Sequence, residues 1–464
     1  MTPYGCFCLW HWQRQIVLLL LALLSLGMVS SATASPTPPI TIRLAGDEWF
    51  LDSLTKTGMI AEFQQTTGIR VEVLHKNDRA IQSDLDRGPS SDAETLDVIV
   101  VRHRLLGTLV QKGQVREIDS LLADPAMRGA GSVPPEQSFK KWWLELSSYA
   151  GHTYGFPFTG LTTYLCYRKD LLNDPANQHE FELRYHRKLT VPTTWPEYNQ
   201  VAEFFTRPEQ HFYGTYIQGK QGLALWYEWL NLAYSFGGNI LDSNHGWEYG
   251  DIVVNSPQNV AATTEYLKLV AFSPPDTLNF GWGEAQSALQ QGHVFMGLLW
   301  NDQAPFLEDP AVSKVAGKIG YTRIPSNSGE PFSQLEGLTY LIPTVSKHAR
   351  EAYRFLEFAL SPEVQIKETL DGGSSLRKST YEDPSVKRLP YTAAFLAAVP
   401  VGKGKPTVPE SPQITDTMVQ RLSQIVRGEK TPQAGLNMLA LDMQSILGKH
   451  AHLRFPVQAK LPQQ

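Results

Sequence analysis

Residues 40–74 read ITIRLAGDEWFLDSLTKTGMIAEFQQTTGIRVEVL, and the order of periodicities along this stretch decides the fold. Residues 40–45 are an apolar run of strand length. Leu51, Leu54, Met59, Ile60 and Phe63 then recur at close to helical spacing up to Gly68, where a helix C-cap is expected. Residues 69–74 alternate as a second strand, and residues 96–101 make a third, almost wholly apolar one. Strands separated by helices of this length predict an α/β fold with a parallel sheet and helices on both faces.

Upstream of that stretch, residues 16–29 are apolar, and Arg14 is the only formally charged side chain among the first 34. The run is shorter than the roughly 20 residues of a membrane-spanning helix. Ala32-Thr33-Ala34 follows as a small-x-small triplet, so residues 1–34 are expected to be a signal peptide cleaved after Ala34, the alternative being an uncleaved N-terminal anchor. No cysteine between the apolar run and that site offers a lipid attachment point. Cys6 and Cys8 leave with the leader, and Cys166 remains without an intramolecular disulfide partner. The expected product is a soluble periplasmic monomer, long enough for two or three domains. A net charge of −5 without a long basic run argues against nucleic acid as a partner.

Helix starts are clear downstream. Thr194-Trp195-Pro196-Glu197 has capping-box spacing, and Ser256-Pro257, Ser361-Pro362 and Thr431-Pro432 each set a cap residue before proline. Catalytic signatures are missing: there is no GxSxG, HExxH, Walker-A loop, GxGxxG or CxxC. None of the 12 histidines falls in a compact metal-ligand set. These absences lower the expectation of an enzyme without removing it, since acidic residues distant in sequence can still meet in space; no cofactor, metal or catalytic residue is expected.

Gly155-Phe156-Pro157-Phe158 and the run Tyr164-Leu165-Cys166-Tyr167-Arg168-Lys169-Asp170 resemble the family 1 extracellular solute-binding proteins, the sugar-type receptors of ABC importers. The likeness continues in order through Pro192 to Glu197, Ser235-Phe236-Gly237-Gly238, Gln291-Gly292 to Trp300, Ile319-Gly320-Tyr321, Glu336-Gly337, Ser346-Lys347 to Pro362, and Ser375-Leu376-Arg377-Lys378-Ser379. It implies a periplasmic-binding-protein type II-like fold, with two α/β lobes joined by hinge strands and a ligand cleft between them. By matched segments, lobe one would hold residues 40–158 and 338–378. Lobe two would hold 160–335 and 379–447, leaving 448–464 as a C-terminal tail. Ligand capture by hinge closure and docking on ABC permease subunits are implied with it.

A sugar or polyol site needs aromatic plates for C–H faces and planar polar groups for hydroxyls. Asp47-Glu48-Trp49-Phe50 follows the first strand, at its carboxyl end, where an α/β cleft opens. The alternative there is a helix start with Trp49 as a packing staple. Trp300-Asn301-Asp302 closes an expected strand at 294–299, with Trp300 a stacking plate or a core ring. Trp226 or Tyr227 is expected to face the cleft, with Glu228 taking hydroxyls and Trp229 in the core. Arg102 and His103 follow the third strand. Glu336-Gly337 resembles a turn whose backbone approaches ligand or serves the hinge, and Arg377 lies in a turn whose arginine is a ligand contact in some relatives.

Leu161 stands where the maltose-type branch carries an acid, and Thr417-Met418 where it carries an aromatic pair. A smaller sugar or a glycosidic osmolyte is thus as well suited as a malto-oligosaccharide. The same lobes also serve receptors for phosphate esters, polyamines or iron, and receptors that present ligand to a sensor kinase. Aromatics with mixed polar groups favour carbohydrate among these.

Overall fold

The three segments at the start become strands β1 (Thr41–Gly46), β2 (Arg70–His75) and β3 (Val98–Arg102), and β1 pairs parallel with both β2 and β3. The computed structural model describes residues 39–457 apart from 128 and 130–136, so the expected signal peptide lies outside the described residues. Between β1 and β2 the expected single helical run is two helices, Glu48–Lys56 and Met59–Thr67. Gly58 sits at φ +76°, a left-handed turn that interrupts the run, and Gly68 at φ +72° caps the second helix as expected.

Seven further strands organise the rest: β4 (Gly155–Leu161), β5 (Thr163–Arg168), β6 (Met296–Trp300), β7 (Ile319–Arg323), β8 (Ser333–Gln334), β9 (Glu336–Leu341) and β10 (Gly402–Lys403). The first sheet runs β2-β1-β3-β9-β4, with β9 antiparallel to both β3 and β4. It is therefore mixed, where a parallel sheet was expected, because β9 enters against the direction of β1 to β3. The second sheet runs β6-β5-β7, with β5 antiparallel to both neighbours. β8 and β10 form a short parallel pair.

Thr162 alone separates β4 from β5, so the chain crosses directly from one sheet to the other. The junction is tied on both sides. The Thr162 N–H donates to Asn301 Oδ1 at 2.7 Å, the Asn301 N–H donates to the Thr162 carbonyl at 3.0 Å, and the Thr162 and Ser333 hydroxyls bond to each other. The arrangement is an α/β fold of two lobes, one around each sheet, and the described residues from Thr41 onward form one compact unit.

Local chemistry explains the helix starts. Thr194 makes a complete capping box with Glu197, and Ser256 and Thr431 accept from Asn259 N–H and Ala434 N–H. Ser361 makes no side-chain cap bond, so proline alone marks that start. Cys166, in the middle of β5, is fully buried between Gly297 of β6 and Tyr321 of β7. Residues 451–457 are packed down: the Ile252 N–H donates to the His452 carbonyl at 2.7 Å, and Arg454 pairs with Asp251 at 3.0 Å.

Candidate functional site

Strands β1, β3 and β6 all end toward one cavity of about 320 Å³, as the carboxyl ends of α/β strands do at a binding crevice. After β1, Asp47 caps the helix Glu48–Lys56 by accepting from the Trp49 N–H at 3.1 Å, so Trp49 and Phe50 fall in its first turn at the cavity. β3 ends in Arg102, whose guanidinium lies 5.9 Å from the Phe50 ring centroid and 3.4 Å from Asp78 Oδ2. β6 ends in Trp300, and the turn Asn301–Gln303 that follows brings Asp302 and Gln303 to the wall.

Two helices and the hinge complete it. The helix Leu223–Ser235 contributes Tyr227, whose ring meets Trp300 edge-on at 5.1 Å and 89°. The helix Trp282–Gln290 contributes Trp282, Gly283 and Gln286 from its first turns. Leu161 and Glu336, paired across the β4–β9 ladder, form the part of the wall nearest the hinge. One hydrogen bond closes over the cavity from opposite sheets: the Trp49 indole N–H donates to Asp302 Oδ2 at 3.2 Å. Trp49 also packs on Phe306 at 5.4 Å, and both rings are substantially exposed.

Four polar atoms of these wall residues are buried and have no hydrogen-bond partner among the described residues: Tyr227 Oη, Asp302 Oδ1, Gln303 Oε1 and Trp282 Nε1. Buried polar groups are almost always hydrogen-bonded, so these four atoms around one cavity are free to bond a molecule held there. Burial pushes the Asp302 carboxyl up to about 6 and the Tyr227 phenol up to about 12, against opposing contributions from the Trp49 N–H and from Arg104 and Arg102.

Of the residues expected at the site, Asp47, Trp49, Phe50, Arg102, Tyr227, Trp300, Asp302 and Glu336 line the cavity together. Six do not. Glu48 points to solvent beside the helix start. His103 is fully buried, its Nδ1 3.2 Å from Glu336 Oε1, and burial and then the Lys405 ammonium hold its imidazole well below the usual range. Trp226 turns its N–H to the Met418 sulfur at 3.3 Å and lies outside the lining, whereas Tyr227 lies on it. Asn301 is a hinge clamp, its amide taken up by Thr162, Gly160 and Ser374. At Gly337 an added Cβ would lie 2.5 Å from Leu146 Cδ1 and from the Thr159 carbonyl, so the glycine serves packing against the helix Lys140–Ser147. Arg377 is buried inside the first lobe and donates to the Leu360 carbonyl at 2.8 Å.

Glu228, expected to take ligand hydroxyls, takes that of Tyr266 at 2.6 Å and the Gln218 N–H at 2.6 Å, and burial raises it to about 7. Trp229 is core, bonded to Thr263 at 2.8 Å.

A family model described as a bacterial extracellular solute-binding protein matches residues 58–394. The chain belongs to that family. Among curated relatives, this solute-binding protein is 24% identical over 268 residues to a probable amino-acid ABC transporter periplasmic-binding protein of Sinorhizobium fredii, covering 57% of the chain and 59% of the relative. It is 23% identical over 262 residues to a mannitol-binding protein of Pseudomonas aeruginosa, covering 55% of each. These two matches thus span less than two thirds of the relatives' length. Among solved structures, an ABC transporter solute-binding protein of Agrobacterium radiobacter in complex with ribitol superposes with a TM-score of 0.75 at 27% identity, over 88% of this chain and 98% of that one.

Five wall residues of the solute-binding protein were not singled out as ligand contacts from sequence: Leu161, Trp282, Gly283, Gln286 and Gln303. Leu161 drew notice only as an apolar substitute for an acid. Gln303 continues the run that begins at Trp300, so the strand-end signal that flagged Asp302 extends one residue further. Trp282 and Gln286 share one helix face, a pattern indistinguishable in sequence from ordinary amphipathic packing.

Proposed function

We propose that this chain is the capturing subunit of an ABC importer, and that its cleft takes a neutral polyol or small sugar and delivers it to a membrane permease. The reading rests above all on the four unpartnered polar atoms set among the rings of Trp49, Tyr227, Trp282 and Trp300 around one cavity. Ring faces suit C–H surfaces, and the unpartnered atoms suit hydroxyls that donate or accept.

Charge supports neutrality. The Arg102 guanidinium is paired with Asp78 and the Glu336 carboxylate with Lys405, whereas Asp302 keeps an oxygen without a partner. A phosphate or carboxylate ligand would meet an acceptor where it needs a donor. The cavity lies at the lower end of the roughly 300–1,000 Å³ typical of ligand pockets, which favours a ligand of monosaccharide size. The relatives named for mannitol and solved with ribitol agree in class. Capture is without turnover, from the periplasm, after export by the cleaved segment 1–34.

The test is a thermal-shift panel on the exported protein, whose intact mass should start near Ser35. Ribitol, D-mannitol, monosaccharides, a sugar phosphate and spermidine are compared. At 100-fold above Kd a neutral polyol or sugar stabilises by about 2.7 kcal/mol. Stabilisation by the sugar phosphate or spermidine alone, or conversion of the bound compound seen by mass spectrometry, refutes the reading.

A further inference from the structure

Behind the cavity wall lies a buried charged cluster that the site as described leaves without a role. Glu336, the first residue of β9, shows one face to the cavity. Its carboxylate is in close contact with the Lys405 ammonium, lies 3.2 Å from His103 Nδ1, and accepts from the Gly337 N–H at 3.0 Å. Lys405 and Glu336 are each about 2% exposed. Lys405 Nζ also stands 5.4 Å from the centroid of the Tyr227 ring, whose hydroxyl is one of the unpartnered atoms.

The cluster draws on three parts of the fold: the end of β3, the start of β9, and the segment after β10. The sequence Gly402-Lys403-Gly404-Lys405 allows the insertion. A Cβ at Gly404 would lie 2.5 Å from Glu145 Oε1 on the helix Lys140–Ser147, and one at Gly402 would overlap the Trp142 indole. Only glycine lets this segment run close enough to drive the lysine inward. The groups facing the cluster are Arg102 and Arg104 with Asp78, Glu145, and the Tyr227 ring.

A buried ion pair adds little net stability, because desolvating both charges offsets their attraction, and apolar replacements of equal volume are often as stable. Stability therefore does not account for an ammonium placed here. We infer that Lys405 is a positioning residue for solute capture, acting through Glu336 and Tyr227. It fixes the carboxylate as an acceptor in one orientation at the wall and seats the phenol ring beside it, so that the solute meets groups already in place. Because Lys405 lies two residues after β10, which pairs with β8 at the hinge, it also ties that geometry to the crossover. The inference rests on the proposed polyol or sugar site.

The experiment uses the exported protein with D-mannitol and ribitol as probes, titrated calorimetrically between pH 5.5 and 8.5. Lys405→Met is expected to weaken binding roughly 10- to 100-fold, the loss of a hydrogen bond to a charged group. The ratio of its Kd to that of the natural protein should also change with pH, since a buried carboxylate stripped of its cation takes up a proton. The double variant Lys405→Met/Glu336→Gln, which buries no unpaired charge, should fold as the natural protein does, keep the weakened affinity and lose that pH dependence. It carries the test if the single variant does not fold. A melting shift in the folded variants, with a Kd ratio to the natural protein near one at every pH, means a structural cluster and overturns the inference alone. Failure of the natural protein to bind either probe or any neutral sugar removes the proposed site and this inference with it.

Discussion

At the scale of single residues, the unpartnered atoms give the sharpest expectations. Tyr227→Phe removes a buried hydroxyl that has no partner among the described residues and leaves the ring against Trp300. Apo stability should hold or rise slightly, while affinity for the captured solute falls about 5- to 10-fold, roughly 1 kcal/mol. Denaturant melts and calorimetry on the same sample read both; a fall in stability with affinity intact would remove Tyr227 from the site. Asp302 titrates near 6, above the ordinary aspartate value of about 4, because burial favours its neutral form. Its proton is bound more tightly in the folded than in the unfolded chain. Its contribution to apo stability is thus full at low pH and is lost as pH rises through about 6. Binding runs the other way, since solute hydroxyls donate to the carboxylate, so Kd should tighten as pH rises through 6, and Asp302→Asn should flatten that profile. The residues legible in the sequence were those that strand ends deliver, such as Asp47, Trp300 and Asp302. Along Leu223–Ser235 nearly every side chain is buried, so periodicity offered no face by which to choose Tyr227 over Trp226 or Glu228.

At the scale of elements, the strands were readable because apolar runs and alternation report burial directly, and their bounds fall within two residues of expectation for β1 to β3. The antiparallel entry of β9 was hidden, since a buried strand reads the same in either direction. At Gly337 and Arg377 resemblance to a ligand-contacting turn coincides with packing demands, and the two read alike in sequence. Gly337→Ala tests that assignment. Its Cβ would press on Leu146 and the Thr159 carbonyl, costing about 1–3 kcal/mol of overpacking. Urea unfolding should show that loss, while solute affinity of the folded protein stays as it was. A large affinity loss at normal stability would return Gly337 to the site.

At the scale of the whole molecule, the two sheets are joined by a crossover with a single residue between strands and meet again over the cavity through Trp49 and Asp302. If the lobes close over solute as the proposed capture requires, that second contact is the one the motion makes and breaks. Trp49→Phe keeps a ring against Phe306 but removes the N–H. Stopped-flow measurements should show solute release about 5-fold faster, the value of one hydrogen bond of about 1 kcal/mol, with association and melting temperature little changed. Slower association with unchanged release would place Trp49 in an entry role instead.

Cys166 gives the molecule a built-in stopwatch. Burial in the middle strand of the three-stranded sheet pushes its thiol well above the ordinary range, so a thiol-reactive dye has nothing to attack while that sheet is intact. Labelling then proceeds only at the rate at which the lobe opens. A solute that binds only the folded form, at 100-fold above its Kd, slows labelling roughly 100-fold. In protein cut after Ala34, as proposed, this one native thiol lets the cargo be screened by the time the protein takes to become dyed.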